Sequence, residues 1–377
     1  MLRKKTQDSY KLQAMERRVS RLSSLQKNQV VNVAGETPNI GKRKEPLTDT
    51  TFLLTITVVL FVAIYALSIV FLGDKGFSKI QMFFNLLNEN AALIVIACGL
   101  TVVMITGSID ISVGGSTALI CTACIVCLNK YNFNFLTSLL LALAIGLTFG
   151  AVQGFLVAYL NMQPFIVTLA GMFLGRGFVA LIEVNQIQVD NAGFEKLSGA
   201  RIEIPFLGDV NRKGVFIQSK LEYGVIVALI IVCVMFWVLK KTKLGRSFYA
   251  VGGNAQSALM LGINVKKTKF YAHLLCGLLA GIGGFLYLFH TRSGSVQQAT
   301  GLEMDAIAAS IIGGTLLTGG VGNIFGTLFG VLTSGIVLLI VTAIGSQDPW
   351  WPQITRAGML CFFIVLQSVI CSRKRRG

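Results

Sequence analysis

The sequence predicts an all-α polytopic membrane protein of about ten transmembrane helices, some short or broken at glycine-rich turns. Three observations predict it. The 377-residue chain is 54% hydrophobic and only 13% charged, where soluble domains average about 25% charged residues. Its mean hydropathy is +0.70, and the apolar residues gather in runs long enough to cross a core of about 30 Å at about 1.5 Å per residue. Finally, the 33 Lys and Arg are parcelled into segments between those runs. That distribution argues against nucleic acid as the reason for the net charge of +16.

Residues 1–47 form a basic tail with 11 Lys/Arg against 4 Asp/Glu and no long apolar run. A signal peptide would bring its apolar region sooner after the basic start. Residues 13–25 read either as a basic amphipathic helix on an anionic leaflet or as part of a disordered tail. The membrane domain is expected over 48–372. Its first span is 50–72, followed by a short Asn-rich amphipathic stretch at 77–90. Further spans read as 91–106, 111–128, 135–160, 165–182, 223–239, 270–290, 305–317, 324–344 and 354–371, and 373–377 form a basic C-terminus.

The positive-inside rule tests that count. Ten spans place both termini on one side, the cytoplasm. The loop 240–269 then also lies inside, with seven Lys/Arg and no acid, and the three inner segments hold 22 of the 33 basic residues. The longest outer segment, 183–222, has strand or short-helix character. It reads either as an extracytoplasmic platform or as a plain connection.

The chain is organised around 240–269, KKTKLGRSFYAVGGNAQSALMLGINVKKTK. Its middle alternates small residues with a short helical pattern. It is expected to lie across the cytoplasmic face and press on another protein. Gly252, Gly253 and Gly262 allow tight turns and close approach, and Ala255, Ala258 and Leu259 are expected to form one small apolar face.

Two breaks echo each other, TGSIDISVG at 106–114 and TGGVGNIFG at 318–326. Unwound backbone at membrane depth is tolerated only where protein buries it or a polar cavity takes it in. Asp110 and Asp305 beside such breaks, with Glu303, read either as helix-capping carboxylates or as functional groups. Arg176, isolated in its span, pairs with an acid or faces a cavity. Cys121, Cys124 and Cys127 read as small buried residues, and His273 and His290 lack metal-ligand spacing.

The chain has no Gly-x-x-x-x-Gly-Lys-Ser/Thr phosphate loop, no Ser-His-Asp or His-Glu-x-x-His arrangement, and no relay of buried acids and histidines. A polytopic protein without its own energy source but with a docking loop points to a partner that supplies the energy. It is not expected to be an enzyme or to bind a cofactor.

The runs ALIVIACGLTVVMITGSIDISVG (92–114), PFIVTLAGMFLGRG (164–177), GRSFYAVGGNAQSALMLGINV (245–265) and EMDAIAASIIGGTLLTGGVGNIFGTLFG (303–330) resemble the permease subunits of bacterial ABC importers for ribose, galactose and related sugars. FIVTLAGMFLGRG and the late DPWWPQITRAGML most resemble a permease of a galactofuranose-type importer. The basic tail has no counterpart in that resemblance. The resemblance implies a multi-pass protein of the bacterial inner membrane. An extracytoplasmic sugar-binding protein would deliver a monosaccharide, two permease subunits would enclose the path, and separate ATPase subunits would bind ATP and Mg. A sister permease or a second copy of this chain would complete the pair. Gly245, Arg246, Gly252, Gly253, Asn254, Ala255, Ala258, Leu259, Gly262 and Ile263 would form the ATPase-coupling element.

Substrate-path candidates are Asn85, Asn88, Asn90, Asp110, Ser112, Phe165, Thr168, Phe173, Arg176 and Asp305, because sugars are held by amides, hydroxyls and aromatic faces. The alternatives are a permease for branched-chain amino acids or nucleosides, and an ion-coupled sugar carrier.

Overall fold

The computed structural model describes residues 46–210, 216–344 and 350–376. Most of the basic tail, including the stretch at 13–25, lies outside the described residues. The chain falls into two units, residues 1–48 and 49–377, and the second holds the helical bundle.

Thirteen α-helices are described: α1 Pro46–Leu72, α2 Ile80–Ile105, α3 Val113–Tyr131, α4 Phe135–Ala158, α5 Pro164–Ile182, α6 Ala192–Gly199, α7 Tyr223–Lys241, α8 Lys243–Gly253, α9 Ala255–Met260, α10 Val265–Thr291, α11 Leu302–Ile312, α12 Ile324–Ile344 and α13 Trp351–Arg376. Eight of the described helices are long and apolar enough to cross a membrane. Two expectations change. The Asn-rich stretch is no separate element, because α2 runs unbroken from Ile80 and takes the asparagines into its first turns. The expected span at 305–317 does not form. Helix α11 is only 11 residues long, about 16 Å, half of what a crossing needs. It stops where Gly314 takes a left-handed φ of 88°, and the chain returns through a turn to α12. The basic C-terminal residues continue α13 as helix to Arg376.

Helix α2 is the axis. It is apolar all round and buried from Ala91 to Ile105, as a helix without a polar face must be, and α7, α10, α11 and α12 pack against it. The Thr101 hydroxyl lies 3.0 Å from that of Ser310 and 2.7 Å from that of Thr327, tying α2, α11 and α12 together at one level. The widest helix contact is α4 on α10. Lipid gives two apolar helices no hydrophobic reason to associate, so close backbone approach has to hold them. Gly146 and Gly150 on α4 meet Gly277 and Gly281 on α10. A Cβ at Gly146 would fall on the Gly277 carbonyl, and one at Gly150 would lie 2.6 Å from the His273 carbonyl oxygen.

One end of the bundle carries a small β layer. Strands β2 (Arg201–Val210) and β3 (Phe216–Glu222) are antiparallel, with Arg201 opposite Glu222 and an irregularity between Ile204 and Gly208. Pro205 lies within that irregular stretch and has no N–H for the ladder. Ile187–Gln188 (β1) pairs with Ser293–Gly294 (β4). The hairpin is fastened to α2 by side chains. Asn88 Nδ2 donates to the Lys220 carbonyl at 3.2 Å, and its Oδ1 accepts from the Glu222 N–H at 2.9 Å. Gln81 Oε1 accepts from the Lys220 N–H at 2.7 Å. The Asp209 carboxylate accepts from the N–H groups of Ile80 and Gln81 at 3.4 and 3.3 Å, capping the free donors at the α2 N-terminus.

Gly146→Leu should lower stability by about 1–3 kcal/mol through overpacking, read as a lower melting temperature in detergent. Gly177→Ala, where a Cβ meets nothing within 4 Å, should leave it unchanged. Equal melting temperatures for the two variants would refute the glycine contact as a source of stability.

Candidate functional site

Two features stand at opposite ends of α2, an elbow beyond its C-terminus and a cleft beside its N-terminus. The elbow is the stretch 240–269. Local capping cuts it into pieces. Thr242 Oγ1 accepts from the Gly245 N–H at 3.1 Å, starting α8. Asn254 Oδ1 accepts from Gln256 and Ser257 at 3.0 and 2.9 Å, starting α9. Asn264 Oδ1 accepts from Lys267 at 3.0 Å, starting α10. Gly262 turns the chain with a φ of 80°, its N–H bonding the Leu259 carbonyl and that of Ile263 the Ala258 carbonyl, both at 3.0 Å. Gly245 sits against the backbone of Val238 and Leu239. Arg246 donates from Nη1 to the Lys241 carbonyl at 3.3 Å.

The elbow rests on both glycine breaks. A Cβ at Gly252 would fall on the Ile105 carbonyl oxygen, the last of α2. That same oxygen accepts from the Gly320 N–H at 2.8 Å. A Cβ at Gly319 would lie 2.8 Å from the Gly107 nitrogen, and one at Gly320 would lie 2.8 Å from Gly253 Cα. Tyr249 adds a hydroxyl bond to the Gly322 carbonyl at 2.8 Å. Burial pushes that phenol up to about 12, so it remains a donor throughout the physiological range. The expected single apolar face does not form. Ala258 is buried against the bundle, while Ala255 and Leu259 face outward. Leu259, Met260 and Leu261 are 62%, 83% and 79% exposed, an apolar ridge at the tip of the elbow.

The cleft, of about 450 Å³, is formed by α2, α10, α11, α12 and α13. Its polar lining comprises Glu89 and Asn90 from α2, Tyr287 from α10, Thr300 and Asp305 around the start of α11, Thr342 from α12 and Arg356 from α13. Arg356 Nε lies 3.4 Å from Asp305 Oδ1, and Asn90 Nδ2 donates to the Leu86 carbonyl at 2.8 Å.

Of the expected path residues, Asn90 and Asp305 meet here. The others stand elsewhere. Asn85 accepts from Gln81 at 2.7 Å, and Asn88 holds the hairpin. Asp110 Oδ1 accepts from the N–H and Oγ of Ser112 at 2.9 and 2.6 Å, at the entry to α3. The Ser112 hydroxyl also reaches Gln153 Oε1 at 3.1 Å, and Thr168 Oγ1 donates toward the Pro164 and Ile109 carbonyls at 3.0 and 3.3 Å. These three lie toward the elbow end. Phe165 and Phe173 are 50% and 62% exposed on α5. Arg176 makes no ion pair with an acid among the described residues. Its Nη1 donates to the carbonyls of Val296 and Gln298 at 2.7 and 3.3 Å. Glu303 packs onto Gly114, where a Cβ would overlap its Oε2. His273 is fully buried in α10, and His290 lies 2.9 Å from Glu222. Cys121 and Cys124 are buried. Among the described residues no group of three His, Cys, Asp or Glu is placed to hold a metal ion.

Sequence reasoning missed Glu89, Tyr287, Thr300, Thr342 and Arg356. The signal for Glu89 and Arg356 was present, since each is a lone charge in or beside an apolar run and such charges are functional candidates.

A helical bundle with a half-length helix, two glycine breaks and a capped, protruding elbow defines a polytopic membrane permease. The chain belongs to the family described as branched-chain amino acid transport system / permease component, which matches residues 82–364. It is 34% identical to the inner membrane ABC transporter permease protein YjfF of Escherichia coli K12, covering 86% of this chain and 92% of that protein. It is also 34% identical to the ribose import permease protein RbsC of the same strain (80% and 89% covered) and 30% identical to the fructose import permease protein FruG of Bifidobacterium longum (83% and 89%). No solved structure matches the chain.

Asn88→Ala would take from the Glu222 N–H its side-chain acceptor, a cost of about 1–3 kcal/mol, while the Lys220 carbonyl keeps the Gln81 Nε2 donor at 3.3 Å. Hydrogen–deuterium exchange should then speed up over Phe216–Glu222 and stay unchanged in the buried half of α2. Unchanged protection of β3 would count against this anchor.

Proposed function

We propose that this chain is the membrane-spanning permease subunit of an ATP-driven, binding-protein-dependent importer that moves a monosaccharide into the bacterial cytoplasm. The observation that carries the reading is the elbow. It seats bare glycine backbone on the end of α2 and on both breaks, and it presents an apolar ridge, Leu259–Met260–Leu261, away from the bundle. A separate ATPase subunit that grips the ridge would move the elbow, which meets the breaks through bare backbone at Gly252 and Gly253 and through the Tyr249 hydroxyl bond to Gly322. In this reading the elbow and both termini are cytoplasmic, and the hairpin of 183–222 faces the binding protein outside. A second permease subunit, a sister or a copy, completes the path.

The cleft suits a neutral polyol. It offers amide, hydroxyl and carboxylate groups and the Tyr287 side chain, and relatives of this chain carry ribose and fructose in their names. A second reading has one observation in its favour. The Asp305–Arg356 pair could divide to hold the ammonium and carboxylate of a branched-chain amino acid, the substrate in the family's description.

Proteoliposomes holding this chain with its ATPase, sister permease and binding protein should take up D-ribose, D-galactose or D-fructose only when ATP is supplied. Uptake of leucine alone, or uptake driven by an ion gradient without ATP, would overturn the reading. Ala255→Glu and Met260→Glu alter exposed elbow positions. They should abolish uptake with no change in melting temperature, and full uptake in both would remove the elbow from its role. Gly262→Trp suits this test less well, because a left-handed φ of 80° strains any side chain there.

A further inference from the structure

The cleft has a neighbour. A second, smaller cavity lies one turn further along the same helices, reached past Ala308 of α11, Ser334 of α12 and Met359 of α13. The two cavities share one partition, built of Asn90, Leu93, Asp305, Gly335, Leu338 and Arg356. Only two of those six carry charge, and they face each other across it, Arg356 Nε at 3.4 Å from Asp305 Oδ1. From this the geometry points to a gate. The Asp305–Arg356 pair closes the passage between the two cavities, and a neutral polyol opens it by taking the place of each partner.

The pair is weakly made in a way that fits a gate. The two side chains are 17% and 33% exposed, so each borders open space, and among the described residues Arg356 Nε makes no hydrogen bond of proper geometry. An ion contact without a directed hydrogen bond is loosely held. Glycines let neighbouring groups come close to it on two sides. Gly301 enters α11 with a left-handed φ of 86°, and a Cβ there would stand 3.3 Å from Arg356 Nη1. On the opposite wall Gly335 leaves its side-chain volume to the Asn90 amide, which a Cβ would meet at 2.6 Å. The pair also joins α11, the half-length helix that leads into the second break, to α13. Opening it frees the helix whose far end reaches the elbow contact.

The chemistry of the opener follows from the pair. Separating the charges leaves a carboxylate in need of donors and a guanidinium in need of acceptors, and in a low-dielectric site neither is left bare cheaply. Vicinal hydroxyls supply both, each donating through O–H and accepting through oxygen. An apolar solute supplies neither. This rests on the sugar-permease reading for the class of solute, but the gate itself does not.

The full chain in lipid nanodiscs, cysteine-free except for Ser334→Cys in the deeper cavity, separates the two. A charged, water-soluble thiol reagent should label this cysteine slowly in the parent and about tenfold faster in Asp305→Asn or Arg356→Gln, the scale of a modest population shift. The swapped pair, Asp305→Arg with Arg356→Asp, should return labelling to the slow rate, which distinguishes a gate from general loosening. D-ribose, D-galactose or D-fructose at high millimolar concentration should speed labelling of the parent, and L-leucine should not. Equal rates in parent and neutralised variants, or a swap as fast as the single changes, overturn the gate. Acceleration by leucine alone, or by none of the four solutes, overturns the polyol opener. None of these readouts uses ATP, so the gate stands or falls apart from ATP-driven uptake.

Discussion

Everything at the elbow end depends on how one carbonyl is satisfied. Ile105 ends α2 fully buried in the protein, and its oxygen needs a donor. Gly320 supplies it from the second break at 2.8 Å, and Gly252 lies over the bond so closely that no β-carbon fits. Two interruptions far apart in sequence therefore complete each other, and the elbow is the lid on the join. At Gly252 no side chain stands between them, so a displacement there bears directly on backbone, and the Tyr249 hydroxyl adds a second tie to the Gly322 carbonyl. Packed interfaces of that kind have few arrangements and change between them in steps.

The rest of the bundle divides into a frame and the wall of the cleft. The frame is α2 with α10 and α4, held by buried apolar surface, by the Thr101–Ser310–Thr327 hydroxyl cluster and by glycine-to-glycine contact. The cleft side is α11, α12 and α13, where charged groups border open volume. The half-length α11 belongs to both. Its buried Ser310 is tied to the frame, and Asp305, one turn and a half earlier, faces α13 across the cleft. At the opposite end the hairpin is bonded to α2 through Asn88, Gln81 and Asp209. Anything that engages the hairpin therefore pulls directly on the helix that carries Glu89 and Asn90.

Particular residues show how far the sequence could be read. The short helical pattern in 240–269 was read from the sequence, but its caps Thr242, Asn254 and Asn264 were not, although a cap acts on donors only two or three residues away. Asn88 was read for its amide, and the amide is indeed used, but on a strand more than a hundred residues later. Ala258 was placed on the wrong face, since a six-residue helix turned by caps does not fix its rotation from periodicity alone. The run at 305–317 was apolar enough for a span, and Gly314, which takes a left-handed φ, follows the helix that ended early at Ile312.

By itself the sequence determined a bundle of apolar helices parted by basic segments and glycine breaks, because hydropathy, charge parcelling and glycine act over a few residues, but it misplaced the start of α2 and took 305–317 for a span. Only the tertiary structure decided which glycine meets which carbonyl, and that Asn90, Asp305 and Arg356 border one cleft. Such meetings depend on how whole helices rotate and slide against one another, and no local pattern of residues carries that information.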